Sequence, residues 1–298
     1  MEITKDLQLS EKDLNYVEMH SVLNVLNILN YELMQLSDMV TEGGYLDSAL
    51  VLVQDIADAL SDKKKTMQHL LHIVEKKEKL ESRLDELRKD QNGFEGYSAS
   101  VRERIEAAEE NIRSILEILE IRAAEIIIRE KNNKKWLRHG VDDLKKNFDQ
   151  VLRAIEKNGK GRYFIVSDEK ELDEQSYLIR CRIEGGRERG VICMPPELQD
   201  VTRDLIANAR KYTDPGGRIE AHLQETGDEL ILTVRDNGRG IPQDQIESII
   251  DYGYRATNAR EKKSYGGGFG LTKVYYITKK YGGRMWVDSK LGEGTTIT

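Results

Sequence analysis

SYGGGFGLTK, Ser264 to Lys273, sets three consecutive glycines and one more after a phenylalanine ahead of an apolar run at helical spacing: Leu271, Val274, Tyr275 and Ile277. Glycine lets the backbone take positive φ and bring its N–H groups against a ligand, and a helix N-terminus adds unpaired donors and a dipole suited to phosphate. Taken alone, the stretch reads first as a flexible surface loop before an ordinary helix, because glycine motifs match often by chance. The order of the neighbouring signals changes that reading. DLIANARKYT supplies a helix with Asp204, Asn208 and Lys211; a strand then ends at Asp236, with Gly238 and Gly240 in DNGRGIP; the glycine loop follows, and after it GGRMWVDSKLGEGTT.

The chain has 298 residues, enough for two domains with separate cores. With 39% hydrophobic and 33% charged residues its composition is that of a globular protein. A net charge of -7 and a pI near 5.5 give no reason to expect nucleic acid or an anionic membrane as partner. Cys181 and Cys193 lack metal-type spacing and read as semi-buried thiols. No apolar run approaches the roughly 20 residues of a membrane span, and MEITKDLQLS holds no signal-peptide core. A cytoplasmic chain without a membrane segment is expected.

All four prolines lie beyond residue 190, and the first half is nearly free of helix breakers. Ser10 and Asp13 form a capping-box pattern opening a helix to Met39, with Leu14, Val17, Leu23, Leu26, Ile28, Leu33 and Leu36 on its apolar side. Gly43 and Gly44 end it. A second helix is expected from Leu46 to Asp90, a third from the QNGFEGYS turn to about Glu130, and a fourth from Trp136 to Lys157. Amphipathic helices of this length bury their stripes against one another, so residues 1–157 are expected to form an all-α helical bundle. From residue 158 the period changes. RYFIVSD, SYLIRCRIE, RIEAHLQ, ELILTVRD and RMWVDS read as strands, with helices at Leu198–Tyr212, Gln243–Ile250 and Phe269–Tyr281 between them. Residues 158–298 are therefore expected to form an α+β two-layer sandwich, making the chain multidomain.

The motifs NARKYT, DNGRGI, GGGFGL and GEGTT resemble the N, G1, G2 and G3 boxes of the ATPase and kinase superfamily of gyrase, the heat-shock chaperone ATPase, mismatch-repair ATPases and histidine kinases. Their wording is most similar to that of histidine kinases, over about Met194 to Thr298. The resemblance implies ATP and Mg²⁺ as ligands. It places Asn208 on Mg²⁺, for which a neutral oxygen is a suitable ligand, and Lys211, followed by Tyr212, on a phosphate oxygen. Asp236 accepts from the adenine amino group, Gly238 and Gly240 pass beneath the ring, and Thr295 and Thr296 close the adenine end. Gly266, Gly268 and Gly270, with Phe269 and Leu271 between and after them, wrap the phosphates. Asp251–Tyr265 reads as a mobile lid, with Tyr252 and Tyr254 where phenylalanines are usual; Arg255 and Arg260 read as solvated loop cations or as phosphate contacts.

Phosphoryl transfer needs an acceptor. His20, in EMHSVLNVLNILNYEL, is followed at helical spacing by Asn24, Asn27 and Tyr31 and is similar to a histidine-kinase H box, with Asn24 one turn on. Ser21 departs from that pattern, which carries an acid there. Either Glu18 or Asp13 substitutes, or autophosphorylation is slow or absent. The resemblance implies autophosphorylation of His20, transfer to an aspartate of a response-regulator receiver domain, and a homodimer through the helical region. Two alternatives stand beside it. Asp204, an acid one turn before Asn208, also fits the base of a serine kinase similar to pyruvate dehydrogenase kinases. The other alternative is a nucleotide-binding scaffold whose kinase chemistry has lapsed.

Overall fold

The computed structural model describes residues 1–40, 46–89, 97–132, 135–158, 164–185, 188–259 and 267–298. The chain divides into two compact units, Ser10–Lys131 and Met1–Leu9 with Asn132–Thr298. The boundary expected at residue 157 thus moves to 131, and the first nine residues join the second unit. Backbone bonds explain the second shift: Ile3 N–H donates to Met285 O and Val287 N–H to Met1 O, each at 2.9 Å.

The helical unit contains α1 (Glu11–Glu18), α2 (His20–Met39), α3 (Asp47–Ala59), α4 (Lys63–Leu71), α5 (Ile73–Lys89) and α6 (Ala99–Lys131). Ser10 and Asp13 close the expected capping box, with Asp13 N–H 3.1 Å from Ser10 Oγ. The leucines and isoleucines form one core, including Leu26, Leu29, Leu33, Ile56, Leu84 and Ile115, each contributing about 1.5–3 kcal/mol on burial. Ile28 does not join it and faces solvent. The helix expected from Leu46 to Asp90 is three helices, broken without glycine or proline. Asp62 caps α4 by accepting from Lys65 N–H at 3.0 Å, and the buried Thr66 hydroxyl donates to Ala59 O at 2.8 Å. Likewise the first helix is divided at Met19, whose φ and ψ of -96° and 6° leave the helical range. Gly43, Gly44 and residues 91–96 of the QNGFEGYS turn lie outside the described residues.

In the second unit, the start of the expected fourth helix is a strand. β1 (Leu137–Gly140) pairs antiparallel with β4 (Val191–Met194), and only then does α7 (Val141–Asn158) begin. Pairing with β4 outweighs the local helical pattern. The main sheet has the order β2 (Phe164–Val166), β3 (Ser176–Glu184), β5 (Arg218–Thr226), β6 (Glu229–Asp236), β8 (Gly294–Ile297), β7 (Val287–Lys290). β2, β3 and β5 run parallel, whereas β5/β6, β6/β8 and β8/β7 are antiparallel. The helices α7, α8 (Glu197–Tyr212) and α9 (Gly270–Lys280) pack their apolar stripes on this sheet, giving the two layers. Val141, Leu144 and Phe148 of α7 belong to this core, which is why that helix leaves the bundle. Gln243–Ile250 is a 3₁₀ helix rather than an α-helix.

Candidate nucleotide site

The site begins with the pairing of α8 and α9, which run antiparallel and are tied along their length by charges. At one end Glu197, 2% exposed, accepts from Lys280 Nζ at 3.0 Å and Tyr281 Oη at 2.9 Å. In the middle Lys273, fully buried, donates to Asp200 at 3.1 Å and lies 3.0 Å from Asp204, an ion pair without hydrogen-bond geometry. Arg203 completes the group at 2.9 Å from Asp200. At the other end Asn208 meets Gly270, where a Cβ would lie 3.1 Å from the Asn208 amide nitrogen. A side chain at this position would crowd the Asn208 amide. At Gly268 glycine is needed for conformation, because φ is 79° and a Cβ would meet the Gly253 and Tyr254 backbone at 2.8 Å.

Across from this helix end, β6 delivers Asp236, which pairs with Thr295 of β8 in the ladder. Gly238 N–H donates to Asp236 Oδ1 at 2.8 Å. Burial pushes the Asp236 carboxyl above the usual range, partly opposed by the backbone N–H groups of Gly238 and Thr295.

A pocket lies between these elements. Of the sequence-predicted residues it brings together Asn208, Tyr212, Asp236, Gly240, Leu271 and Thr295. Gly238, Gly268 and Gly270 are not in the lining, but a Cβ at each would meet a lining residue, Asp236, Tyr254 and Asn208 in turn; Phe269 is also outside it and packs on Tyr252, 4.5 Å between ring centroids. Lys211 is not in the lining; its ammonium lies 5.1 Å from the Tyr212 ring. Neither is Thr296, because successive strand side chains face opposite ways and Thr295 takes the pocket side. Gly266 and Arg260 lie outside the described residues.

Sequence reasoning missed the apolar walls, Leu205, Ala209 and Ile249, whose signal was only the helical period. The near part of the segment read as a mobile lid lines the pocket in a fixed conformation. Thr257–Ala259 forms a 3₁₀ turn fastened by Gln245, whose side-chain oxygen accepts from Tyr254 Oη at 3.1 Å and Thr257 N–H at 2.9 Å. Asn258 donates to Gly240 O at 2.9 Å, and Arg255, half-buried rather than solvated, donates to Ala259 O at 2.7 Å.

His20 and Asn24 belong to the helical unit. His20 opens α2 and is only 6% exposed, with the Asn24 amide nitrogen 3.3 Å from its Nε2 and 3.4 Å from its Nδ1. The polar stripe therefore runs from buried His20 to exposed Asn27 and Tyr31. Asp13 is committed to the α1 cap, accepting from the Ser10 hydroxyl at 2.5 Å. It is not a substitute for the acid missing after His20. The Glu18 carbonyl accepts from Arg129 at 3.1 Å.

Residues 194–298 match the family model described as histidine kinase-, DNA gyrase B-, and HSP90-like ATPase. The chain is 32% identical over 136 residues to the sensor histidine kinase WalK of Bacillus subtilis, a match covering 45% of this chain and 22% of that protein. It is 40% identical over 102 residues to the sensor histidine kinase RppB of Synechocystis, covering 34% and 22%. The catalytic domain of histidine kinase ThkA superposes with a TM-score of 0.38 at 16% identity, over 55% of this chain and 93% of that one. The matches span less than a quarter of the length of WalK and RppB. No helix among the described residues is long and apolar enough to cross a membrane. Residues 194–298 therefore form an ATPase domain of the histidine kinase, DNA gyrase B and HSP90 family, of the kind found in sensor histidine kinases.

Proposed function

We propose that the chain is an ATP- and Mg²⁺-dependent protein histidine kinase that autophosphorylates on His20 and passes the phosphoryl group to a response-regulator aspartate. The observation that carries this reading is the convergence of Asn208, Asp236, Thr295 and Leu271, the residue that follows the glycine loop, on one pocket. The pocket fits a purine: its walls are apolar, and Asp236 stands at its edge as an acceptor with one oxygen already held by Gly238. Asn208 would hold Mg²⁺, whose charge offsets that of the phosphates. Gly268 and Gly270 bring backbone close at the start of α9, where unpaired N–H groups suit phosphate oxygens.

His20 would accept the phosphoryl group through a ring nitrogen, with Asn24 orienting the imidazole. At 6% exposure the ring has to leave its packed position first. Against the serine-kinase alternative stands the ion pair of Asp204 with buried Lys273, which engages the carboxylate that would have to act as its base. A homodimer through the helical region is part of the same reading.

Incubation with γ-labelled ATP and Mg²⁺ tests it. Wild type should acquire label that is stable to alkali and lost in acid, and His20→Ala should bind ATP yet remain unlabelled. Acid-stable label, or label persisting on His20→Ala, would return the chemistry to another residue.

A further inference from the structure

In sequence the helical unit is an insertion: the chain leaves the ATPase domain after Leu9 and returns to it at Asn132. The residues ahead of α1 therefore belong to the domain that holds the nucleotide pocket, and they lie on it as a strap. Glu2 bridges Trp286 in the antiparallel sense and Ile3 N–H donates to Met285 O at 2.9 Å, which sets the strap along the outer edge of the sheet beside β7. Ile3 is fully buried in the ATPase core, and Leu7 packs against that core.

Beyond Ile3 the strap bonds to two elements that wall the pocket. The first is α9, which begins at Gly270 and gives Leu271 to the lining. The hydroxyl of its buried Tyr275 donates to Lys5 O at 2.7 Å. The second is the segment that starts at Asp251. Lys5 Nζ donates to both Asp251 carboxylate oxygens at 2.6 Å. The Asp251 carbonyl accepts from Tyr254 N–H at 3.1 Å and from the Thr272 hydroxyl of α9 at 3.2 Å, and Tyr254, Arg255, Ala256, Asn258 and Ala259 follow it into the lining. Asp251 thus ties the strap, α9 and the pocket wall together.

We propose that Lys5 is a positioning residue of the nucleotide site, acting through Asp251, and that docking of the strap and binding of nucleotide favour each other. Both side chains of the Lys5–Asp251 pair are exposed, so the pair adds little to the stability of the fold. Its loss acts on where residues 251–259 rest against the pocket. By linkage, whatever the docked strap adds to nucleotide affinity, bound nucleotide returns to the docking of the strap. The strap runs directly into Ser10, the cap of α1, and the coupling thereby reaches the start of the helical unit. The inference rests on the reading of the pocket as an ATP site and is independent of His20.

Calorimetric titration of the full chain with ATP and Mg²⁺, together with hydrogen exchange of the strap, tests it. Lys5→Glu should bind ATP about fivefold more weakly than wild type with little change in nucleotide-free melting, and Lys5→Arg should bind as wild type does. Exchanging the charges, Lys5→Glu with Asp251→Lys, should recover most of the loss. Saturating ATP should slow exchange of the Ile3 amide in wild type by a similar factor. Three results would overturn the inference and leave the pocket reading intact: a wild-type strap that exchanges equally fast with and without bound ATP, a Lys5→Glu chain with wild-type affinity, or an exchanged pair no better than Lys5→Glu alone. A fall in nucleotide-free melting large enough to explain the lost affinity would make Lys5 a structural residue and overturn it too. Wild type that fails to bind ATP would overturn both readings.

Discussion

The two units treat buried polar groups differently. In the ATPase domain, charge meets charge: Glu197 with Lys280, Asp200 and Asp204 with Lys273, Arg203 with Asp200. In the helical unit, several buried polar side chains bond to backbone at helix ends. Asn15 donates to Leu60 O, Thr66 to Ala59 O and Arg129 to Glu18 O. Side-chain pairs between α8 and α9 fix the register of one helix on the other, which is what sets Asn208 against Gly270. Two of the backbone bonds in the helical unit also join helices, Asn15 of α1 to the end of α3 and Arg129 of α6 to the end of α1. The charge pairs suit a site that must hold a ligand still.

That contrast breaks most easily at Lys273. Lys273→Met leaves Asp204 without its cation and Asp200 with Arg203 alone, and should cost about 3–5 kcal/mol, seen as a large drop in the melting temperature of the ATPase domain. Adding Asp204→Asn should return part of the loss; a double variant no more stable than the single one would show that the pair is incidental. Asn208→Ala should keep the nucleotide-free melting temperature and lower label transfer by about a hundredfold or more. Unfolding of that variant would instead make Asn208 a structural residue. Gly270→Ala brings a methyl group against the Asn208 amide, and an approximately tenfold fall in transfer with unchanged melting is expected. The smallest effect lies in the helical unit, where Asp62→Ala removes the α4 cap for about 1 kcal/mol, read by denaturant midpoint.

The same contrast explains what was legible in the sequence. Motif order located α8, β6, the glycine loop and β8, because the residues that touch a nucleotide must be of fixed type at fixed places. The breaks at Met19 and Asp62 carried no glycine or proline. Only Asp62, followed by Lys63–Lys65, offered a capping signal, and it was hidden inside a continuous apolar period. β1 was invisible for another reason: LRHG becomes a strand through pairing with residues over fifty positions away. Lys273 was read as part of a helix after a glycine loop, and its full burial follows only from Asp200 and Asp204 on the facing helix.

The account rests most directly on Asp236. Burial holds its carboxyl above the usual range, so between its unfolded and folded pKa values the unfolded chain binds fewer protons, and this group disfavours folding as pH rises through that window. Nucleotide binding follows the opposite sense. An ionised acceptor is needed for the adenine amino group, and affinity should fall on acidification through the same window. Calorimetric titration with ATP and GTP, each with Mg²⁺, at neutral pH is the decisive measurement. ATP should bind well ahead of GTP, and Asp236→Asn should lower ATP affinity by about tenfold to a hundredfold, as loss of a hydrogen bond to a charged group does. Equal affinity for the two nucleotides, or an Asp236→Asn chain that binds ATP as wild type does, would contradict the assignment of this pocket to adenine.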